Sequence, residues 1–116
     1  MKKKKIGIIM KKIKKPWGYE ELIENDKYVV KKLFMKKDHR CSLQYHEYKK
    51  ETIYVLSGKL IITIGDEDIV YKKGEYVTIE PNTIHRMTGL TNCYYLESST
   101  TELDDVVRVE DDYKRI

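Results

Sequence analysis

The sequence predicts a small all-β domain built as a sandwich or barrel, and three observations indicate it. Turn-forming Gly, Asn and Asp residues recur roughly every eight to twelve residues. β-branched and aromatic residues fill the intervals, and ten of them are tyrosines. Apolar residues at helical spacing are scarce. Short strands that are evenly spaced and separated by turn signals are typical of sandwiches and barrels.

The predicted strands, in chain order, are 28–35, 42–48, 52–56, 59–64, 69–71, 76–79 and 92–97. Ser57-Gly58 separates the third strand from the fourth, and Gly65-Asp66-Glu67-Asp68 joins the fourth to the fifth as a hairpin. Lys72-Lys73-Gly74 and Pro81-Asn82-Thr83 flank the sixth strand and end it on either side. Helical turns are predicted only within 20–25 and 104–113.

Length and composition are those of a single globular domain. The chain has 116 residues, of which 41% are hydrophobic and 36% charged. We expect residues 1–14 to form a lysine-rich, partly disordered leader and residues 15–116 to form the domain. No apolar run approaches the roughly 20 residues that a membrane helix needs. Two cysteines, Cys41 and Cys93, cannot make a disulfide framework, so we expect a reduced, cytoplasmic setting.

The formal net charge of +4 does not indicate a nucleic-acid partner. Much of the excess lies in the N-terminal lysines, the body alternates in sign, and the tail is acidic. A surface that follows phosphates needs cations clustered on one face. We therefore expect neither nucleic-acid nor membrane binding.

One pattern of residues in the sequence indicates a metal site. Gln44 and His46 are two apart in a predicted strand, so their side chains share a face. Glu51 begins the next strand after a short charged bend, and His85 follows the turn after strand 76–79. If the barrel brings these segments together, two imidazoles, a carboxylate and an amide oxygen converge. That donor set suits zinc, manganese, iron, cobalt or nickel. A histidine with no partner at ligand spacing is more often only hydrogen-bonded, and His39 is interpreted in that way.

The spacing Gln-x-His-x4-Glu-x6-Gly, followed by Gly-x6-Pro-x3-His, resembles the two motifs of the cupin superfamily. The resemblance implies a jelly-roll β-barrel that holds one metal ion. The first cupin motif usually begins His-x-His, and Gln44 stands where the first His is expected. Asn82 stands at the usual Gly position of the second motif, where Asn is tolerated because it adopts positive φ.

The Gln-His-Glu-His set is similar to the metal site of phosphomannose isomerases. Further similarity to their type II domain runs from about residue 15 to 115, and its segments are Lys15-Pro16-Trp17-Gly18, Ser42-Leu43-Gln44-Tyr45-His46, Val55-Leu56-Ser57-Gly58, His85-Arg86 and Asp104-Asp105-Val106-Val107-Arg108. The resemblance implies an isomerase that interconverts mannose 6-phosphate and fructose 6-phosphate through an enediol. It implies that Gln44, His46, Glu51 and His85 bind one divalent ion, with zinc the first choice.

The same resemblance suggests the remaining site residues. Glu97 is the first candidate for the catalytic base, and Lys31 is the second. Arginine binds phosphate through its planar fork, so Arg40, Arg86 and Arg115 are candidates for the sugar phosphate, although alternation could turn Arg86 outward from His85. Trp17 and Tyr113 either line the barrel mouth or pack against it.

Many type II enzymes carry this domain behind a GDP-mannose pyrophosphorylase domain, for which 116 residues leave no room. We therefore expect no nucleotide transfer. Two other functions stay open: another sugar or sugar-nucleotide isomerase or epimerase on the same scaffold, and a non-catalytic cupin that binds a sugar. We also expect a homodimer, because exposed sheet edges invite pairing.

Overall fold

The computed structural model describes residues 11–116, which form eleven β-strands and no helix. The strands are β1 (Lys11–Lys15), β2 (Gly18–Asn25), β3 (Val29–Met35), β4 (Leu43–Tyr45), β5 (Glu51–Ser57), β6 (Lys59–Ile64), β7 (Glu67–Lys72), β8 (Tyr76–Ile79), β9 (His85–Gly89), β10 (Cys93–Ser99) and β11 (Val107–Glu110). The predicted all-β class is confirmed. Within these residues no helix is long and apolar enough to cross a membrane.

Two antiparallel sheets face each other. The first has the order β1-β2-β3-β10-β5-β8 and the second the order β11-β4-β9-β6-β7. Neighbours in space are often distant in sequence, as with β3 and β10, which is the topology of a jelly roll rather than of a simple meander.

The core lies between the sheets and follows the two-residue period of the strands. Inward positions are buried in β3, β5, β6, β9 and β10. The apolar members of this core are Trp17, Leu33, Met35, Cys41, Ile53, Val55, Leu60, Ile62, Ile79, Met87, Cys93 and Tyr95. The inward positions also include Glu51, His85 and Glu97, so the interior contains a polar region beside the apolar core.

The predicted turns have the expected backbone. Gly65 and Asp66 form the two-residue connection of the β6–β7 hairpin, in which Ile64 pairs with Glu67. Gly74 and Asn82 have φ of 87° and 62°, the left-handed region that Gly and Asn tolerate best. The prediction that Asn82 can replace the motif glycine is therefore confirmed.

Four strands were not predicted, and two predicted helical turns are wrong. Residues 20–25 lie in β2, which pairs with both β1 and β3, so sheet pairing overrides the local helical signal. Residues 104–113 contain turns and β11 rather than helix. Strand β9 was hidden by the polar pair His85-Arg86 at its start. Residues 11–14, predicted as leader, lie in β1, and residues 1–10 of that leader lie outside the described residues.

Candidate metal centre

Three buried side chains from distant segments converge inside the barrel. His46 follows β4, Glu51 begins β5, and His85 begins β9. Their potential ligand atoms all lie within 4.8 Å of one another. Glu51 Oε1 is 2.9 Å from His85 Nε2 and 3.4 Å from His46 Nε2, and the exposed fraction of each of these residues is 2% or less.

Backbone carbonyls orient both imidazoles. His46 Nδ1 donates to the carbonyl oxygen of Asp105 at 2.6 Å, and His85 Nδ1 donates to that of Thr83 at 2.7 Å. A carbonyl can only accept, so Nδ1 carries the proton in each ring and, in the neutral form, Nε2 presents a lone pair. Protein metal sites fix the tautomer of their histidines in this way.

The atoms that face each other have no hydrogen-bond partner within residues 11–116. They are His46 Nε2, His85 Nε2 and both carboxylate oxygens of Glu51. Buried polar atoms without hydrogen-bond partners are costly and rare, so the two Nε2 atoms that lie within 3.4 Å of Glu51 Oε1 call for an explanation. Glu51 Oε2 instead faces Lys49 Nζ at 3.5 Å. A divalent cation would satisfy the two Nε2 atoms and Oε1 together, and two neutral imidazoles with one carboxylate suit zinc or a similar ion. The residues present therefore fit a metal site.

Glu51 is the ionised member of the group. Burial alone would raise the pKa of its carboxyl, but the neighbouring Glu97 carboxyl and the charge of Lys49 hold that pKa well below its usual range. A carboxylate that stays ionised in the interior is what a cation site requires.

Gln44 lies next to this group. Its Cα pairs directly with that of His85 between β4 and β9, and residues in register across a pair share a face. Ser42 Oγ donates to Gln44 Oε1 at 2.6 Å, which orients the amide and leaves the second lone pair of the oxygen available. The role of Gln44 as a fourth ligand stays a prediction.

The two candidate bases face each other across β10 and β3. Glu97 and Lys31 are register partners, and both line the cavity described below. Burial, together with the charge of Glu51, raises the pKa of Glu97 well above its usual value. Lys31 Nζ lies 3.6 Å from Glu20 Oε1, so Lys31 has a carboxylate partner. Their catalytic roles stay predictions.

Lys49 is a buried residue of this site that sequence reasoning missed. Its Nζ lies 3.5 Å from Glu51 Oε2, and only 6% of the residue is exposed. Burial opposes its charge, but the carboxylates of Glu97 and Glu51 outweigh that effect and raise the pKa of Lys49. Its position two residues before Glu51 was a signal, but the charged stretch around it is typical of an exposed bend.

A loop from the far end of the chain holds His46 in place. The carboxylate of Asp105 accepts the backbone N–H groups of Glu47, Tyr48 and Lys49 at 3.0, 2.7 and 2.9 Å. These bonds, that from Tyr48 foremost, lower the pKa of Asp105. Asp105 thus contacts His46 through its carbonyl and the following three residues through its side chain. The site depends on residues almost sixty positions apart.

The three predicted arginines have different places. Arg40 forms a two-point pair with Asp112 at 2.7 and 2.9 Å. Arg86 is buried, and its Nε donates to the carbonyl oxygen of Cys41. Neither arginine lines the cavity. Both bind other groups of the protein, whereas the sequence predicted that they contact the substrate. Arg115 does line it, held by Asp111 at 2.7 and 3.0 Å.

The site opens into a cavity of about 470 Å³, a size typical of small-molecule sites. His46, Gln44, Glu97 and Lys31 line it. Trp17 lines it as well and is buried, whereas Tyr113 packs against the core. Tyr95 and Arg108, which sequence reasoning did not select, also contribute, and the Tyr95 hydroxyl has no hydrogen-bond partner within the described part of the chain.

The family model for the cupin domain matches residues 33–97, more than half of the chain. The chain belongs to the cupin family. The predicted jelly roll and the recognised motifs are thereby confirmed.

Curated relatives of this cupin are enzymes of sugar metabolism. It is 33% identical over 102 residues to mannose-1-phosphate guanylyltransferase RfbM of Salmonella typhimurium, covering 83% of this chain and 21% of the relative. It is 30% identical over 111 residues to xanthan biosynthesis protein XanB of Xanthomonas campestris, covering 90% of this chain and 24% of the relative. The chain therefore spans about a fifth to a quarter of the length of these relatives.

Solved structures share the fold at lower identity. The nucleoside dehydratase Pac13 of Streptomyces superposes with a TM-score of 0.79 at 16% identity, covering 96% of this chain and 93% of that one. The capsular polysaccharide assembling protein CapF of Staphylococcus aureus superposes with a TM-score of 0.76 at 20% identity, covering 90% of this chain and 33% of that one. At these identities the likeness concerns the fold alone.

Proposed function

We propose that this cupin is a metal-dependent aldose–ketose isomerase that interconverts mannose 6-phosphate and fructose 6-phosphate. The observation that carries the proposal is the group of unpartnered, buried donor atoms on His46, Glu51 and His85, beside a cavity lined by Glu97 and Lys31. The similarity to mannose-1-phosphate guanylyltransferases supports a phosphorylated mannose as the substrate.

His46, Glu51 and His85 would hold the ion, with Gln44 as the fourth ligand. When bound, a divalent ion supplies Lewis-acid stabilisation of negative charge on substrate oxygens, a contribution of several kcal/mol. The chain's own contribution begins with Asp105 and Thr83, whose carbonyls keep both imidazoles turned toward that point.

The proton transfer falls to Glu97 or Lys31. Isomerisation requires a base that removes the proton from C2 of the aldose and returns it to C1, while the hydroxyl proton of O2 passes to O1. Glu97 is buried on the inner face of β10 and lines the cavity, so its carboxyl can reach a sugar held beside Glu51. A raised pKa moves a carboxyl toward neutral pH, where a general base works best. Lys31 lies opposite it and is the alternative base.

A coupled assay with mannose 6-phosphate, with and without chelator, tests the proposal. We expect turnover that chelator abolishes and added zinc or manganese restores. Bound metal without turnover would contradict the mannose 6-phosphate assignment and favour another sugar or sugar-nucleotide isomerase or epimerase. Neither metal nor turnover would favour a non-catalytic sugar-binding cupin.

Two variants identify the base. If Glu97 is the base, Glu97→Gln lowers kcat by roughly 10²–10⁴-fold and leaves the metal content unchanged. Glu67→Gln, at an exposed position of β7, removes the same charge and is the matched control. If Lys31→Met abolishes turnover while Glu97→Gln retains it, the base is Lys31.

A further inference from the structure

Cationic side chains in the cavity differ in whether a carboxylate already neutralises them. Five line it: Lys15, Lys31, Lys49, Arg108 and Arg115. Lys15 and Lys31 both lie near Glu20, Lys49 near Glu51, and Arg115 against Asp111. Within residues 11–116, Arg108 is the one member of this set that makes no ion pair with a carboxylate.

The guanidinium of Arg108 is also short of a hydrogen-bond partner. Its Nε is buried and has none among the described residues. Arginine always carries its charge and presents donors in a planar fork, so an unpartnered, partly buried guanidinium that lines a cavity is suited to an anion. Phosphate matches this fork with two parallel hydrogen bonds.

Strand register sets where this group lies relative to the metal centre. Arg108 in β11 pairs with Gln44 in β4, and Gln44 pairs with His85 in β9. The three residues form one row on the same face, and two strand spacings separate its ends by roughly 10 Å at the backbone. Gln44 and Arg108 line the cavity, so a sugar whose reacting end lies beside Gln44 would extend along this row toward Arg108.

We propose that Arg108 binds the phosphate of a phosphorylated sugar, at the end of the Arg108–Gln44–His85 row that lies away from the metal centre. This inference rests on the proposed function and deepens it. It moves the phosphate contact from Arg40 and Arg86, which have other partners, to a residue of the C-terminal strand. Arg115 is already paired with Asp111, so its charge is less available to the ligand.

The test measures binding of mannose 6-phosphate, unphosphorylated mannose and inorganic phosphate to the metal-loaded full chain by calorimetry. We expect Arg108→Gln to weaken mannose 6-phosphate binding by about 10-fold or more and to leave the response to mannose unchanged, because a hydrogen bond to a charged group is lost. Arg108→Lys keeps the charge without the fork and is expected to fall between the two. Lys72→Gln, at an exposed position of β7, removes one positive charge elsewhere and is the control.

The outcomes separate this inference from the proposed function. Wild-type turnover with an unchanged KM in folded Arg108→Gln would overturn the inference and leave the isomerase standing. Binding of inorganic phosphate that depends on Arg108, without turnover of mannose 6-phosphate, would support the inference and contradict the isomerase. A wild-type chain that binds neither mannose 6-phosphate nor inorganic phosphate would overturn the inference. Far-UV circular dichroism and the Tm of each variant establish that it is folded.

Discussion

Some side chains of the candidate site can be predicted from neighbouring positions in the sequence, and others cannot. Gln44, His46 and Glu51 lie within eight positions of one another, and strand alternation with a short bend is enough to bring them to one place. Arg108 could not be selected in this way, because its place depends on the pairing of β11 with β4 across the whole chain. Sequence distance carries no information about that register.

Arg86 shows what the alternation of side chains along a strand can predict and what it cannot. His85 faces the interior, so the next residue of β9 must point to the other face of the sheet. The structure has Arg86 there, donating to the carbonyl oxygen of Cys41 and away from the cavity. That the position is buried rather than solvent-exposed could not be predicted, because the C-terminal segment that contacts it comes from beyond residue 100.

Asp111 makes the tail sensitive to acid. Hydrogen bonds from the Arg115 guanidinium lower the pKa of Asp111 from 3.8 to about 2. Because the folded-state pKa is lowered, the stabilisation is fully present above pH 3.8 and is lost as the pH falls toward 2. We expect Asp111→Asn to lower the urea midpoint at pH 7 and to lose less further stability than wild type between pH 4 and pH 2. Asp66→Asn, in the exposed β6–β7 turn, is the control, and parallel pH profiles for wild type and Asp111→Asn would contradict this account.

At the scale of elements, the loop from β4 to β5 takes its conformation from a distant acid. Asp105 accepts three consecutive N–H groups of residues 47–49, next to His46. We expect Asp105→Ala to weaken metal binding by roughly 10–100-fold, the usual effect of removing a group that orients ligands. Asp66→Ala removes the same charge from an exposed turn and serves as the control. Metal affinity by chelator competition is the measurement, and a lower Tm with unchanged affinity would contradict an orienting role.

The glycine between β5 and β6 is required both by its positive φ and by the lack of space for a side chain. The glycine between β7 and β8 is required by its positive φ alone. Gly58 and Gly74 both have positive φ, of 77° and 87°. A Cβ on Gly58 would overlap the carbonyl oxygen of Asn92 and lie 2.9 Å from the Cα of Cys93, whereas one on Gly74 would meet open space.

We therefore expect Gly58→Ala to be more destabilising than Gly74→Ala by about 1–3 kcal/mol, the usual cost of overpacking. Urea unfolding of the two variants measures the difference, since the backbone penalty is shared and only the steric overlap differs. Equal losses would show that the approach to Asn92 is relieved at no cost.

Strands were predicted correctly where turn-forming residues separate them in the sequence. They were missed where a strand forms only because it pairs with another strand. The β6–β7 hairpin was predicted because Gly65-Asp66 separates two apolar stretches. Strands β1 and β2 are rich in Lys and Glu, and they form because each finds a partner, including cross-strand pairs such as Lys12 with Glu21. Local propensity cannot reveal such a partner.

The whole molecule joins an apolar barrel interior to a polar pocket built from both sheets. The first sheet contributes Glu51, Glu97 and Lys31, and the second contributes Gln44, His85 and Arg108. His46, in the loop after β4, completes the group. The predicted homodimer stays a prediction. Turn spacing predicted the all-β class, and the resemblance of the two motifs to those of cupins implied the jelly roll. The pairing of the two sheets around one point is a property of the complete fold.

The central claim is that His46, Glu51 and His85 form a metal centre, and elemental analysis of the purified chain tests it most directly. After growth and purification with divalent metals supplied, we expect about one divalent ion per chain, and much less in His85→Asn. His39→Asn, which alters a histidine outside the cluster, should keep the wild-type content. A wild-type chain that is folded and holds no divalent ion under these conditions, or a His85→Asn variant that keeps its ion, would contradict the account.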